Sequence, residues 1–325
     1  METKINISKF WTRVWALLID SILLGIIGYI LGLPFQDFLI SIGNYGLLIG
    51  LIITIGYQTI CNSEFLNGQT LGKRIMDIQV VDINGDTINI SKSFLRALIL
   101  SFPYFTYNLT IPGLSDTSIV SIVKTVVLFS IILGVVVIYI FNKQTRQSLH
   151  DLIIGTYVVK TEENEEVSII PSITKSPFYV FGGLVILLIG VGVYSANWNK
   201  SELKNALSTY SQVSEIKGVL SASICENTSY FNDSKTLSYQ TKLQVNILPE
   251  EKLENDKMVR ETVQTILCNV SNIDNFNFIE ISLNRGFNIG IASQNSSKTV
   301  SYSPLKWREI LKLQKSIDNH SNVGM

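Results

Sequence analysis

Residues 16–27 read Ala16-Leu17-Leu18-Ile19-Asp20-Ser21-Ile22-Leu23-Leu24-Gly25-Ile26-Ile27, an apolar run with one carboxylate near its middle. An ionised carboxylate at the centre of a membrane helix costs about 3 kcal/mol on insertion scales, so its presence implies a partner or a use. Arg13 stands seven residues earlier, close to two helical turns, and therefore on the same face as Asp20. An arginine there can snorkel to the interface while the carboxylate points into a helix bundle. The stretch reads as a membrane helix with a polar seam.

Around it, the apolar run from Val14 to Leu33 is too long for a signal core and lacks a small-x-small cleavage motif. It is expected to persist as a signal-anchor helix. Judged against the ~20 apolar residues a spanning helix needs, five segments could cross or enter a bilayer. They run from about Thr12 to Leu33 (closed by Pro34), Phe38 to Ile60, Phe94 to Leu109, Ile119 to Phe141, and Phe178 to Ala196. The third is short, carries Arg96 at its start and is kinked by Pro103, so it either spans or lies at the interface.

Basic residues set the expected orientation. Lys4, Lys9 and Arg13 flank the first segment. Lys73, Arg74, Lys92 and Arg96 lie between the second and third, and Lys143, Arg146, Lys160 and Lys175 between the fourth and fifth. If the third segment crosses, all three basic regions share one side, the cytoplasm. The expectation is a multi-pass protein of the cell membrane, N-terminus inside, with five crossings and the C-terminal part outside.

Outside the spans the pattern changes. Met76, Ile78 and Val80 alternate with Asp77, Gln79 and Val81; Asn84-Gly85 supplies a two-residue turn, and Ile88 and Ile90 alternate with Thr87 and Asn89. This predicts a cytoplasmic β-hairpin. Gly155–Lys160 reads as a third strand able to pair with it, followed by an acidic turn at Glu162, Glu163, Glu165 and Glu166. After Trp198 the composition becomes that of a soluble domain. Helices are expected at about Lys200–Val213, from Pro249 to about Cys268, and after Pro304. Strands are expected at about Val219–Cys225, Leu237–Ile247, Phe276–Leu283 and Phe287–Ala292, the last two flanking a tight turn at Asn284-Arg285-Gly286. The fold class is an α-helical membrane bundle over 1–160 with a small hairpin, a linker at 161–177, a further membrane helix at 178–196, and an α+β domain at 197–325.

Several function classes fall away. The 26 Lys and Arg balance 26 Asp and Glu, which argues against a nucleic-acid partner. Three cysteines and two histidines without metal-site spacing exclude a structural zinc, and no cofactor is implied. Cys225 and Cys268 are either two buried thiols or, in an oxidising compartment, a disulfide. Gly68-Gln69-Thr70-Leu71-Gly72-Lys73-Arg74 departs from a phosphate loop, which needs four residues between its glycines and Ser or Thr after the lysine. It reads as a tight turn with its bases at the cytoplasmic lipid surface, or as a contact to an anionic headgroup or partner. His150-Asp151 lacks a nucleophile and an orienting group, so Asp151 caps a short segment or meets a base among Arg13, Lys73, Arg74 and Arg96. The chain is not expected to be an enzyme.

Together, Arg13 and Asp20, the Gly68–Arg74 turn with Asp82, Arg96, and Leu149-His150-Asp151 with Gly155-Thr156 resemble the RDD family of bacterial and archaeal membrane proteins. The family is named for an arginine and two aspartates, which here would be Arg13, Asp20 and Asp151. The resemblance covers about Phe10 to Lys160 and implies a membrane location with a transport role of undefined substrate. The tail after Lys160 departs from the family core. Two readings follow: a membrane-anchored sensor or assembly factor acting through its outer domain, or a small-solute or ion transporter using Arg13, Asp20, Arg96 and Asp151. The expected partners are the bilayer and a second copy or another membrane protein.

Overall fold

The computed structural model describes residues 6–107, 109, 119–161, 175–197, 212–213, 215–217, 219–233, 236–249, 256–270 and 272–321. The chain divides into two compact units, Met1–Trp198 with Asn288–Ser293, and Asn199–Phe287 with Gln294–Met325.

The first unit is helical. Helix α1 (Phe10–Gly32) buries Ala16, Asp20, Leu24, Gly28 and Gly32, a stripe at every fourth position that carries the carboxylate. Its opposite face exposes Trp11, Trp15, Ile22, Ile26 and Ile30, so the helix is apolar all round, as a membrane helix is. Short α2 (Gln36–Ser41) and a 3₁₀ turn lead into α3 (Gly46–Cys61). A five-residue helix, α4 (Leu71–Ile75), and strand β1 (Ile78–Val81) precede α5 (Ile90–Thr106). Then come α6 (Ile119–Phe141), α7 (Leu149–Ile154), β2 (Tyr157–Lys160) and α8 (Ser176–Asn197).

Three helices are long and apolar enough to cross a membrane, at Phe10–Gly32, Gly43–Cys61 and Val123–Phe141, with a shorter apolar helix at Ser176–Val191. The sequence suggested five. The third of those segments starts earlier than expected, at Ile90, and at 17 residues, with Lys92 as well as Arg96 within it, α5 is too short for this list. Its first turn is set by Asn89, whose Oδ1 accepts from Lys92 N at 2.9 Å.

The expected hairpin is replaced. Asn84-Gly85 does make a turn, with Gly85 at φ +88° and Asp82 Oδ1 accepting from Asn84 N at 2.8 Å. Its second arm stops at one bridge, Val81 to Thr87, because the Asn89 cap turns the chain into α5. The partner of β1 is instead β2, antiparallel, with Ile78 opposite Lys160 and Val81 opposite Tyr157. Ile78, Val80, Ile88 and Val158 form a small core with Ala16 of α1.

The second unit is a four-stranded sheet in the order β3 (Val219–Asp233), β4 (Thr236–Pro249), β5 (Phe278–Asn288), β6 (Ser293–Tyr302). β3 and β4 are antiparallel, β4 and β5 parallel. Val245, Ile247, Ile279, Ile281 and Leu283 pack against Val259, Val263 and Ile266 of α9 (Asp256–Asn269) and Trp307 of α10 (Pro304–Ser321). Trp307 Nε1 donates to Ile279 O at 3.0 Å, which satisfies the buried indole.

Two expectations fail in this unit. β5 runs unbroken through Asn284-Arg285-Gly286, and the chain reverses at Ile289–Ala292, where Gly290 has φ +80°. Gly286 answers to close packing, since a Cβ there would lie 1.9 Å from Gln294 O. Cys225 of β3 and Cys268 of α9 are both exposed and are not joined to each other, so they form neither the disulfide nor the buried thiols considered above. The expected helix at 200–213 falls, but for its last residues, outside the described residues, as does the acidic turn.

Candidate functional site

The site is a set of buried polar side chains within the first unit, on helices that otherwise pack through apolar and small residues. Its centre is Asp20, 3% exposed. Oδ1 accepts from Tyr57 OH at 2.7 Å and from Gly72 N at 2.8 Å, and Oδ2 accepts from Thr70 Oγ1 at 2.6 Å. Each donor follows from local structure. Thr70 is the N-cap of α4, its hydroxyl accepting from Lys73 N at 3.3 Å. Tyr57 OH accepts from Leu71 N at 3.0 Å while donating to Asp20. The first three N–H groups of α4, on Leu71, Gly72 and Lys73, are therefore all satisfied, by Tyr57, Asp20 and Thr70. Gly72 is required by proximity: a Cβ on it would sit 2.1 Å from Ala16 O of α1. The Gly68–Arg74 turn is thus a clamp on the carboxylate. Of its two bases, Lys73 is half-buried and donates to Asn62 Oδ1, whereas Arg74 stays exposed. Burial, with repulsion from Arg96, holds the Lys73 ammonium well below its usual range, against the pull of Asp20 and Asp151.

The second aspartate sits in α7. Asp151 Oδ1 accepts from Arg96 Nε at 2.9 Å and from Thr156 Oγ1 at 3.0 Å, and Oδ2 accepts from Ser148 N at 3.4 Å. It therefore caps its own helix and pairs with a base of α5 at once. Burial alone would raise its carboxyl; the Arg96 guanidinium, with His150 and Arg13, outweighs that and holds it well below the usual carboxylate range. His150 lies between, with Nδ1 2.6 Å from Ser148 Oγ and Nε2 3.5 Å from Asp151 Oδ1. Burial lowers its imidazole to about 3, Asp151 opposing and Arg96 adding to the fall.

Arg13 and Asp20 do not pair. Seven residues along a helix is about 10 Å, so the two side chains work at different levels. Arg13 donates Nε to Ser8 Oγ at 2.5 Å, NH2 to Val158 O at 2.9 Å and NH1 to Arg146 O, and lies 5.9 Å from the centre of the Tyr139 ring. It ties α1 to the loop after α6 and to β2. The seam expected between Arg13 and Asp20 resolves into three anchors: Arg13 on carbonyls, Asp20 on α4, and Arg96 on Asp151.

Tyr57, Asn62 and Ser148 join the site without having been singled out from the sequence, and Thr70 and Thr156 were read there only as members of longer motifs. Thr70 and Ser148 were findable as N-caps ahead of short helices. Tyr57 lies 37 positions from Asp20 and carries no local signal of their contact.

Beside Asp20 lies a half-open recess of about 430 Å³, lined by α1, α3, α5 and α6 together with Gly290 and Ile291. Leu24, Ile99 and Ile132 stand among its walls, and Asp20, Thr54 and Ser101 supply polar groups. Thr54 Oγ1 is buried with no hydrogen-bond partner among the described residues.

Comparison with known proteins fits this geometry. Residues 7–155 match the RDD family. The uncharacterised protein YckC of Bacillus subtilis (strain 168) is 26% identical over 158 residues, covering 48% of this chain and 87% of that one. No solved structure matches the chain. The similarity to the RDD family takes in Arg13, Asp20, Arg96 and Asp151 and spans a little under half of the chain.

Proposed function

We propose that the RDD domain is a membrane scaffold whose aspartates clamp non-spanning turns onto the helices. The α+β unit outside the bilayer then acts as sensor or assembly module toward a ligand or another membrane protein. The observation that supports this most is that Asp20 and Asp151 each accept three hydrogen bonds from their own chain. A carboxylate that carried an ion would have to shed or share such bonds, each worth about 1.5–3 kcal/mol when one partner is charged. The one-sided Lys and Arg distribution supports an N-inside, C-outside topology, and reporter fusions after Trp198 and within residues 162–172 should report opposite sides. We assign Ser148, His150 and Asp151 to capping and ion pairing rather than hydrolysis, since all three are buried and the carboxylate is already held by Arg96.

Substituting Asp20→Asn tests the reading. It should lower abundance in the membrane, while photo-crosslinking from the exposed Leu305 of α10 captures the same partner as the wild type at matched protein level. Normal abundance with abolished function would favour the second reading, transport of a small solute or ion, which the recess beside Asp20 supports. Uptake into proteoliposomes measures that directly.

A further inference from the structure

The turn after β5 is apolar where turns are ordinarily polar. It reads Asn288-Ile289-Gly290-Ile291-Ala292, while the strand that follows opens with Ser293-Gln294-Asn295-Ser296-Ser297-Lys298. Residues Asn288–Ser293 belong to the helical unit. Their seat there is made of glycines. A Cβ on Gly50 of α3 would lie 1.7 Å from Ile289 O, one on Gly46 2.9 Å from Asn288 O, and one on Gly28 of α1 2.8 Å from Ile291 Cγ1. The fit is as close from the other side: Gly290, at φ +80°, would bring a Cβ within 2.4 Å of the Phe105 ring of α5. Ile289 is 1% exposed. Gly28 stands near the end of α1, Gly46 and Gly50 near the start of α3, and Phe105 near the end of α5. The seat is therefore at one end of the bundle, the outer end in the N-inside topology proposed above.

Gly290 and Ile291 also wall the recess beside Asp20. That recess is half open, and Leu17, Tyr104 and Val136, which line it, are exposed, so its mouth is apolar and suits lipid rather than water. The turn closes on itself: Ile289 N donates to Ala292 O at 3.0 Å, and Gly290 N donates to Asn288 Oδ1 at 2.8 Å. Carrying these bonds with it, the turn can leave its seat as one piece when β5 and β6, into which its ends run, are displaced. We propose that residues 289–292 are a removable plug. Seated among Gly28, Gly46 and Gly50, they shut the recess off from water at that end of the bundle, and their withdrawal opens it. The inference goes beyond the proposed function, since it concerns the turn and neither the Asp20 clamp nor what the α+β unit recognises.

The test uses the full chain in lipid nanodiscs, with Cys61, Cys225 and Cys268 replaced by serine. Ser101 lines the recess about one helical turn before Phe105, and Ser101→Cys is the reporter. A charged, membrane-impermeant methanethiosulfonate should label it slowly while the turn is seated. Gly50→Ala, which drives a methyl group into Ile289 O, and Ile291→Asn, which makes the turn polar, should each raise that rate at least tenfold. Gly56→Ala, whose Cβ meets nothing within 4 Å, should leave it unchanged. Lipid-soluble N-ethylmaleimide, entering through the open mouth, should label all four proteins alike. Seating itself is read by Gly28→Cys with Ala292→Cys, whose Cβ atoms would lie 3.0 Å apart, a small adjustment from the roughly 3.5–4.5 Å of a disulfide, so the pair should oxidise to an intramolecular bridge. Absence of that bridge, rapid charged labelling with the turn intact, rates unmoved by both unseating variants, or a parallel rise with both reagents would overturn the plug. Should Gly50→Ala fail to fold, Ile291→Asn decides alone. Because Asp20 is left intact, failure here does not touch its role as a clamp, which is read from stability.

Discussion

Substituting Gly72→Ala adds one methyl group where α4 meets α1. The new Cβ would lie 2.1 Å from Ala16 O and 3.1 Å from the Asp20 carboxyl carbon. The first of these is backbone within a helix and cannot swing aside, so α4 must retreat by about 1 Å to reach ordinary contact. That retreat stretches the 2.8 Å bond from Gly72 N and the 2.6 Å bond from Thr70 Oγ1 to Asp20. Overpacking costs about 1–3 kcal/mol, and each hydrogen bond to a charged acceptor about 1.5–3 kcal/mol if lost. Alanine returns about 1 kcal/mol in helix propensity. With the bonds weakened rather than lost, a net destabilisation of roughly 2–4 kcal/mol is expected. Gly56 of α3, where an added Cβ meets nothing within 4 Å, is the control, and Gly56→Ala should be neutral or slightly stabilising. Equilibrium unfolding of the purified chain in mixed micelles reads both. If Gly72→Ala unfolds with the same midpoint as wild type, the close approach of α4 to α1 is wrong.

Asp151→Asn should cost about 3–5 kcal/mol by leaving Arg96 as a buried charge without its carboxylate, whereas Arg96→Met with Asp151→Leu should cost less than the single change; equal losses, read by the same unfolding assay, would deny the pair. The His150 imidazole, depressed to about 3 from an ordinary 6.5, binds its proton more readily in the unfolded chain. Stability should therefore be full above about pH 6.5 and decline on acidification toward 3, by at most about 1.4 kcal/mol per unit. Asp151, depressed as well, adds its own loss only as the pH falls through about 3.8 and below. Melting temperatures taken from about pH 7 to 4.5 should fall for the wild type and fall less for His150→Gln; parallel profiles would place His150 outside the cluster.

The long apolar helices were legible because a helix able to cross a bilayer writes itself as a long apolar run, and α1, α3 and α6 carry that signature without help from tertiary contacts. The aspartates were legible for the converse reason, a charge where none is affordable without a partner. What the sequence left open was which partner. Asp20 looked toward Arg13 by helical spacing, yet its donors come from Tyr57, Thr70 and Gly72, the last two at the N-cap and within a five-residue helix whose pattern is too short to register. The hairpin failed on competition: Asn89 serves α5 as an N-cap, which removes the arm that Ile88 and Ile90 would have formed, and β2 takes the vacant edge. At Gly286 a turn signal concealed a packing requirement, since only the facing strand, absent from a local reading, shows why a side chain has no room there.

A double-mutant cycle on Asp20 and Thr70 bears most directly on the claim that the buried carboxylate of α1 is a clamp for α4. Thr70→Val and Asp20→Leu would be made singly and together in the full chain, and unfolding free energies compared in mixed micelles. The 2.6 Å bond predicts coupling: Thr70→Val should cost about 1–3 kcal/mol less when Asp20 is already gone. Additivity within about 0.5 kcal/mol would mean that the two residues act independently, and would contradict the clamp.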